Sequence, residues 1–533
     1  MFLTKIFTRP IGLGSITCGV YIFHTLLFVL SFLYLGANDL ISGETVCLTV
    51  IMNLAIIFAL MLRPTGSAHH IIYFSWCIFL YFSIRLTVFL LFPGNAIDHL
   101  LPEPLTGQEV LNGLCFIVPG VISILLGIIS AAKFGLGYHP VPKQTYISTP
   151  YSISKLSVYV FVVSVVAYFL KVKLNITVFG SPENWGNALG WIGLIFDPDV
   201  ALLLSICWFF QSFSVDHIRK RHVIHFFALL ALWLIFSILV GSRGGPLRIL
   251  TIAFVVVLVI NPHYKISIQR FILTTVAFLV LNLTVFEMGT LVREHRVSDD
   301  KTFSEVSRAR DIVLLRGTNR GKVEDNVSAR RDDLYSNELF KLSIEKSRSV
   351  ITRLGLIDYP LVIVNRDVEQ SLVRRYFHSL YPIKNWVNSL VPGVIFEASD
   401  TNTSRVFARM YRGFSENHIN TYYLSEPFTI FGIFWIIAAY ASLPLLFLLG
   451  FCVQAMFSLV QYFPPRIRTF VCASFMFMPL NLFYISFGFD HQLITTTYFA
   501  VSGIVALSFI GLFDIFVKTF LKTGTISKNE ERN

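Results

Sequence analysis

Apolar residues are grouped along this chain in long runs, and short polar loops separate the runs. A helix of about 20 apolar residues crosses about 30 Å of hydrocarbon. Because hydrocarbon offers no water to unpaired backbone groups, such runs must cross it with their own hydrogen bonds satisfied. The pattern therefore predicts an all-α polytopic membrane protein with about twelve transmembrane helices. The predicted spans are Ile11–Leu35, Thr45–Leu62, Ile71–Phe92, Val110–Ala132, Leu156–Leu174, Val200–Phe213, Val223–Val240, Pro246–Ile260, Phe271–Met288, Phe428–Tyr462, Thr469–Gly488 and Leu493–Val517.

Composition agrees with this prediction. Of the 533 residues, 54% are hydrophobic and only 14% are charged, which excludes an ordinary soluble protein. The longest run, Phe428–Tyr462, leaves two interpretations open. It fits one tilted helix that projects from the membrane, or two short helices broken near Pro444.

Basic residues in the short loops predict the orientation. Arg63, Lys133 and the run His217–His222 fall on alternate loops, whereas the intervening loops are acidic or neutral, with Glu44 and Asp490 among them. Short cytoplasmic loops carry the excess of Lys and Arg. We therefore predict that both termini are cytoplasmic. The net charge of +11 then follows largely from topology, so no nucleic acid partner is expected.

This map divides the chain into three parts. Residues 1–288 form an N-terminal bundle of about nine spans, residues 289–427 a large helical loop on the outer, periplasmic side, and residues 428–533 about three spans and a cytoplasmic tail. We call residues 289–427 the outer insertion. Its first part is dense in charge, but from Leu339 onward apolar residues return at helical spacing, with Ile351 and Ile357 among them. This half is expected to pack against the bundle.

The seven cysteines all fall in predicted spans. Their placement argues against disulfides and against a thiol metal site in the outer insertion. No metal and no cofactor is expected.

Arg243 lies between two apolar runs, within Gly241-Ser242-Arg243-Gly244-Gly245. A charge in the hydrocarbon core costs roughly 2.5 to 3.5 kcal/mol, so such residues usually face a cavity, a partner or the headgroups. Glycines that free the backbone, together with the Ser242 hydroxyl and a guanidinium, fit an anion site. The alternative is an interfacial arginine whose long aliphatic chain lets the guanidinium stay in water.

A second candidate cluster lies late in the outer insertion. Arg405, Arg409 and Arg412 share one helical face, and a polar segment with Glu416, His418 and Asn420 follows. A histidine there can accept a proton near neutral pH. The arginine row also fits a solvated face at an anionic surface, and a histidine more often has only a hydrogen-bonding role.

Another polar group, Arg293-Glu294-His295-Arg296 beside Glu287, lies at the outer end of a predicted span. This group could hold the general base instead of His418. It equally fits a helix end among the lipid headgroups.

The layout of the chain resembles a known family. The features that carry the resemblance are the many spans, the turn around Ser242-Arg243-Gly244, the dominant late outer loop with Leu390–Phe396, the His418-Ile419-Asn420 segment and a following helix with Phe431-Gly432. Together they are similar to the O-antigen and exopolysaccharide repeat-unit polymerases of the Wzy type. They also resemble the related O-antigen ligases.

The resemblance implies an inverting, metal-independent membrane glycosyltransferase of the C-type architecture in the bacterial inner membrane. It would transfer a glycan from polyprenyl diphosphate to the terminal sugar of another lipid-linked repeat unit. Its implied partners are lipid-linked oligosaccharides and membrane lipids, with chain-length regulator and flippase proteins as further candidates. His418 would be the general base, with Glu416 beside it. The diphosphate would be held by Arg243, Ser242, Arg405, Arg409, Arg412, Arg293 and Asn420.

Three alternatives remain. An O-antigen ligase shares the chemistry and differs in its acceptor. A lipid-linked oligosaccharide flippase also needs many spans and a cationic route, but such transporters usually have two similar halves and charges along several spans. Here charges within spans are sparse, Arg85 and Glu287 being the clearest. A receptor or scaffold gives no account of Arg243.

Overall fold

The computed structural model describes residues 10–62, 66–91, 105–137, 202–203, 206–207, 209, 220–239, 245–260, 265–277, 357–365, 383–384, 387, 429–462, 468 and 471–473. Regular structure in these ranges is helical apart from one pair of short strands. β1, Pro10–Gly12, lies antiparallel to β2, Lys265–Ser267, with Ile11 opposite Ile266. This pairing joins the start of the first helix to a segment more than 250 residues later in the chain.

The helices whose bounds the described residues give are α1 Leu13–Leu35, α2 Gly43–Leu62, α3 Ala68–Ile78, α4 Ile84–Leu91, α5 Gly107–Lys133, α6 Lys220–Leu239, α7 Gly245–Ile260, α8 Asp358–Asn365, α9 Thr429–Ala438 and α10 Leu443–Leu459. A further helical stretch covers Ile268–Ala277. A π-helical turn, Phe79–Ser83, joins α3 to α4 without a break.

Five helical segments in the described residues are long and apolar enough to cross a membrane, and they are Leu13–Leu35, Gly43–Leu62, Ala68–Leu91, Gly107–Lys133 and Thr429–Leu459. Each coincides with a predicted span. The prediction of a helical, membrane-embedded protein is therefore confirmed. The total of about twelve spans and the glycosyltransferase architecture stay predictions.

Contacts divide the chain into two compact units. The first comprises Met1–Leu230, Thr251–Arg270 and Gly355–Asn533, and the second Ala231–Leu250 and Phe271–Leu354. The bundle of α1 to α5 with α8, α9 and α10 lies within the first unit, as do all side-chain contacts described below.

Local polar contacts fix the ends of several helices. Thr106 and Glu109 form a reciprocal cap at the start of α5, where Thr106 Oγ1 accepts from the Glu109 amide at 3.2 Å and Glu109 Oε2 accepts from the Thr106 amide at 2.8 Å. Past the end of α1, Asn38 Nδ2 donates to the carbonyls of Phe89 and Leu90. These carbonyls lie in the last turn of α4, where intrahelical partners are lacking. Asn38 therefore joins the ends of α1 and α4.

The closest helix packing is between α5 and α10, which run in the same direction. Gly120 faces Leu446, Gly127 faces Phe447 and Phe451, and Gly450 faces the Ile124 carbonyl. A Cβ atom at Gly127 or Gly450 would collide with backbone of the facing helix. Small residues allow helix backbones to approach closely in membrane proteins.

The run Phe428–Tyr462 is interrupted. α9 ends at Ala438, a 3₁₀ turn covers Ala439–Ser442, and α10 begins at Leu443. Ala439 has φ 45°, and Pro444 in the first turn of α10 has no amide hydrogen to donate back. The structure therefore supports the interpretation of two helical segments broken near Pro444. The interruption lies inside one candidate span, Thr429–Leu459.

Candidate functional site

All of the predicted site residues lie outside the described residues, and they are Arg243, Ser242, Arg293, Arg405, Arg409, Arg412, Glu416, His418 and Asn420. Their mutual distances and their roles therefore stay predictions. Two helix boundaries do agree with the sequence analysis. α6 ends at Leu239, within one residue of the predicted Val240, and α7 begins at Gly245, within one residue of the predicted Pro246.

A buried ion pair between Arg85 and Asp358 is the most distinctive polar contact in the part of the chain that the structure describes. Arg85 Nη2 donates to Asp358 Oδ2 at 2.6 Å, and Arg85 Nε lies 3.1 Å from Oδ1. Both residues are at most 1% exposed. The Arg85 guanidinium also lies over the Phe89 ring, 5.0 Å from its centroid. The planar guanidinium thus meets the carboxylate in a geometry that a lysine cannot reproduce.

The electrostatics of this pair follow from its burial. Burial raises the pKa of the Asp358 carboxyl, and the Arg85 guanidinium opposes that rise. A buried ion pair contributes little net stability relative to apolar side chains, but removal of one partner leaves an uncompensated charge and costs about 3 to 5 kcal/mol. The pair therefore specifies which segments meet more than it stabilises the fold.

Asp358 is the first residue of α8, which belongs to the outer insertion yet lies inside the bundle. Leu361 packs where Gly113 of α5 leaves room, and Ile363 packs against Gly432 of α9. Asn365 Nδ2 donates to the Glu109 carbonyl at 2.7 Å. The apolar half of the insertion was predicted to pack against the bundle, and for Ile357 and α8 this prediction is confirmed.

The packing of α8 is extensive enough to make it a fixed part of the bundle. Leu361, Val362 and Ile363 are each at most 1% exposed. Burial of such side chains contributes roughly 1.5 to 3 kcal/mol each relative to exposure to water. Withdrawal of α8 into water would remove this stabilisation for Leu361, Val362 and Ile363 and would also separate Asp358 from Arg85. These magnitudes argue against α8 as a lid that opens in each reaction cycle.

Phe431 and Gly432 have packing roles in this structure. The Phe431 side chain is fully buried, and its ring lies 5.5 Å from that of Phe82, edge to face. Gly432 provides the space that Ile363 occupies. The Phe-Gly pair thus joins α9 both to α8 and to the π-helical turn.

A neutral polar cluster connects α1, α2 and α4. His24 Nε2 lies 2.8 Å from Thr87 Oγ1 and 3.2 Å from the Ser83 carbonyl, and His24 Nδ1 lies 3.2 Å from Asn53 Nδ2. Ser83 ends the π-helical turn, a feature that alters the regular pairing of helix carbonyls. Neutral groups satisfy this histidine, so the cluster serves helix packing rather than a charged path.

The sequence analysis named Arg85 as a charge within a predicted span and did not identify a partner for it. The available signal was Arg85 itself. An arginine within a span is costly, so it requires a counter-ion or a polar partner. A carboxylate 273 residues away cannot be chosen by local pattern. The described residues contain no group of three or more His, Cys, Asp or Glu side chains that could hold a metal ion.

Comparisons of the chain with protein-family models, with curated proteins and with solved structures find no match.

Proposed function

We propose that this chain is a membrane glycosyltransferase that polymerises polyprenyl-diphosphate-linked oligosaccharide repeat units at the outer face of the bacterial inner membrane. Both termini are cytoplasmic in this proposal. The observation that carries it is the Arg85–Asp358 ion pair, because it fastens the outer insertion to the apolar bundle. The proposed reaction joins a diphosphate carried by a membrane lipid to a polar glycan outside the membrane. It therefore needs the apolar bundle and the outer insertion to meet at the membrane surface.

The proposed chemistry uses the residues that the sequence analysis singled out. An acceptor hydroxyl attacks the anomeric carbon, the bond from that carbon to the diphosphate oxygen breaks, and His418 takes the hydroxyl proton. Glu416 orients His418. Arg243, with Ser242, and the loop arginines hold the leaving diphosphate as its charge grows. One such contact at about 4 Å is worth roughly 4 kcal/mol at an effective dielectric of about 20.

The flippase alternative needs charges that line a path through the bundle. Among the described residues Arg85 and Asp358 are the fully buried charged side chains other than histidine, and they bind each other. This pairing favours an enzyme with its reaction at the outer surface. The ligase alternative shares the site and differs in its acceptor.

The test uses purified full-length protein and lipid-linked repeat units, with products separated on a gel. The wild type is expected to form a ladder of glycans, and Arg243→Ala is expected to abolish it while the protein remains folded in the membrane. His418→Ala is expected to lower the rate at least a hundredfold, on the order of general-base catalysis. Lys265→Ala is the matched control, since it removes an exposed positive charge on the predicted inner side.

Each alternative has its own outcome. An active Arg243→Ala variant would contradict the proposed site. Rapid lipid scrambling without a ladder would support a flippase. Transfer only when a lipid A-core acceptor is added would support a ligase.

A further inference from the structure

Two buried polar atoms on α3 have no hydrogen-bond partner among the residues that the structure describes. They are Nε2 of His70 and the hydroxyl oxygen of Tyr73, and both residues are only 3% exposed. Nearly all buried polar atoms in proteins bind another protein group or an ordered water molecule. Two such atoms on one helix therefore point to a ligand that binds both.

The contacts of His70 make its Nε2 atom an acceptor. Gln454 Nε2 donates to the carbonyls of Gly66 and Leu136, so Gln454 Oε1 accepts from His70 Nδ1 at 2.6 Å. Nδ1 therefore carries a hydrogen. Because a buried charge is costly, the neutral imidazole is the favoured form, and its Nε2 atom then presents a lone pair. A ligand at this atom must donate a hydrogen bond.

Tyr73 supplies the second group of the site. It follows His70 by three residues on α3, and residues three apart share one face of a helix. Long helical side chains lean toward the helix N-terminus, which brings the Tyr73 hydroxyl back toward the turn that contains His70. No hydrogen bond joins these two side chains directly. A small molecule that both donates and accepts would satisfy them together.

We propose that His70 Nε2 and the Tyr73 hydroxyl bind one buried water molecule. The water donates to His70 Nε2 and accepts from the Tyr73 hydroxyl, as buried waters do at polar groups that the protein itself leaves unsatisfied. The Phe457 ring covers the imidazole, with the ring centroids 4.5 Å apart, and Phe457 is 1% exposed. The site is thus closed to bulk solvent. The water site does not rest on the proposed function.

The first test exposes the full-length protein in detergent to short X-ray pulses. X-rays split bound water in place, and the hydroxyl radical then modifies an adjacent aromatic ring, which mass spectrometry detects. We expect Tyr73 to be modified several-fold faster than Tyr21. Tyr21 is the matched control, because it is fully buried and its hydroxyl donates to the Ser75 carbonyl at 2.6 Å. Modification of Tyr73 no faster than that of Tyr21 would overturn the proposal.

The variant His70→Phe tests whether the water binds both residues. Phenylalanine keeps a ring of similar shape and removes the Nε2 acceptor, so the water loses one of its two partners. The modification of Tyr73 should fall to the level of Tyr21 in the folded variant. An unchanged rate would show that the water does not bind His70, and it would overturn the shared site.

A density map of the wild type that resolves ordered water needs no variant, and it decides the question if His70→Phe does not fold. We expect a peak about 2.7 to 3.2 Å from both His70 Nε2 and the Tyr73 hydroxyl. A protein side chain or a metal ion in that position would overturn the assignment of water. None of these measurements needs a substrate, so they stand whether or not the wild type forms a glycan ladder.

Discussion

The Gln454 side chain determines that Nδ1 of His70 carries a hydrogen. Gln454 Nε2 donates to the carbonyls of Gly66 and Leu136, each at 3.0 Å, and Gln454 Oε1 lies 2.6 Å from His70 Nδ1. Because the two carbonyls require the amide nitrogen, Oε1 must accept, and His70 Nδ1 must carry the hydrogen. One buried side chain of α10 thereby joins Gly66, two residues before α3, to Leu136, three residues after α5, and to α3 itself.

Replacement of Gln454 is expected to destabilise the bundle. Gln454→Ala leaves two carbonyls and an imidazole donor without this partner, at about 1 to 3 kcal/mol for each buried unsatisfied group. Gln454→Glu is nearly isosteric, but its carboxylate supplies no donor and its neutral form only one for the two carbonyls, so it should lower the midpoint of thermal unfolding. Met456→Ala, at an exposed position on the same helix, is the control. A Gln454→Glu variant as stable as the wild type would show that these bonds do not form.

Single and double substitutions at Arg85 and Asp358 should be strongly non-additive. Arg85→Met or Asp358→Leu alone leaves a buried charge and should reduce the free energy of unfolding by about 3 to 5 kcal/mol. The double variant Arg85→Met/Asp358→Leu should be close to the wild type in stability. Unfolding in detergent, followed by fluorescence, completes the cycle. Additive losses would mean that the two side chains do not interact.

The glycines between α5 and α10 provide a third prediction. A Cβ at Gly127 or Gly450 meets backbone atoms of the facing helix, so Gly127→Ala and Gly450→Ala must push the helices apart and should each cost about 1 to 3 kcal/mol. Gly19 in α1 has open space around the same position. Gly19→Ala should therefore stabilise its helix by up to about 1 kcal/mol. Equal effects at the three positions would contradict the close packing.

The apolar pattern predicted individual spans closely. The predicted Thr45–Leu62 corresponds to α2, Gly43–Leu62, and the predicted Val110–Ala132 to α5, Gly107–Lys133. Helix length and hydropathy are local properties, so they are visible in the sequence. The capping pair Thr106 and Glu109 accounts for the earlier start of α5, since it extends the helix beyond its apolar run.

The contacts that hold α8 in the bundle were not visible in the sequence. Arg85 and Asp358 are separated by 273 residues, and α8 is too short to be recognised as part of a membrane bundle. Gly432 looked like one residue of a Phe-Gly motif, whereas its role depends on Ile363 of another helix. Periodicity tells which face of a helix is buried and does not tell which distant segment covers it.

The interruption between α9 and α10 provides the last prediction. Ala439 has φ 45°, a conformation that costs an L-residue with a Cβ atom roughly 1 to 2 kcal/mol, whereas glycine adopts it freely. Ala439→Gly should therefore raise the midpoint of thermal unfolding or leave it unchanged. Ala455→Gly, in the middle of α10, is the matched control and should lower stability by about 1 kcal/mol, because glycine is a poor helix former. If Ala439→Gly were as destabilising as Ala455→Gly, residue 439 would be helical and the segment Thr429–Leu459 would be one continuous helix.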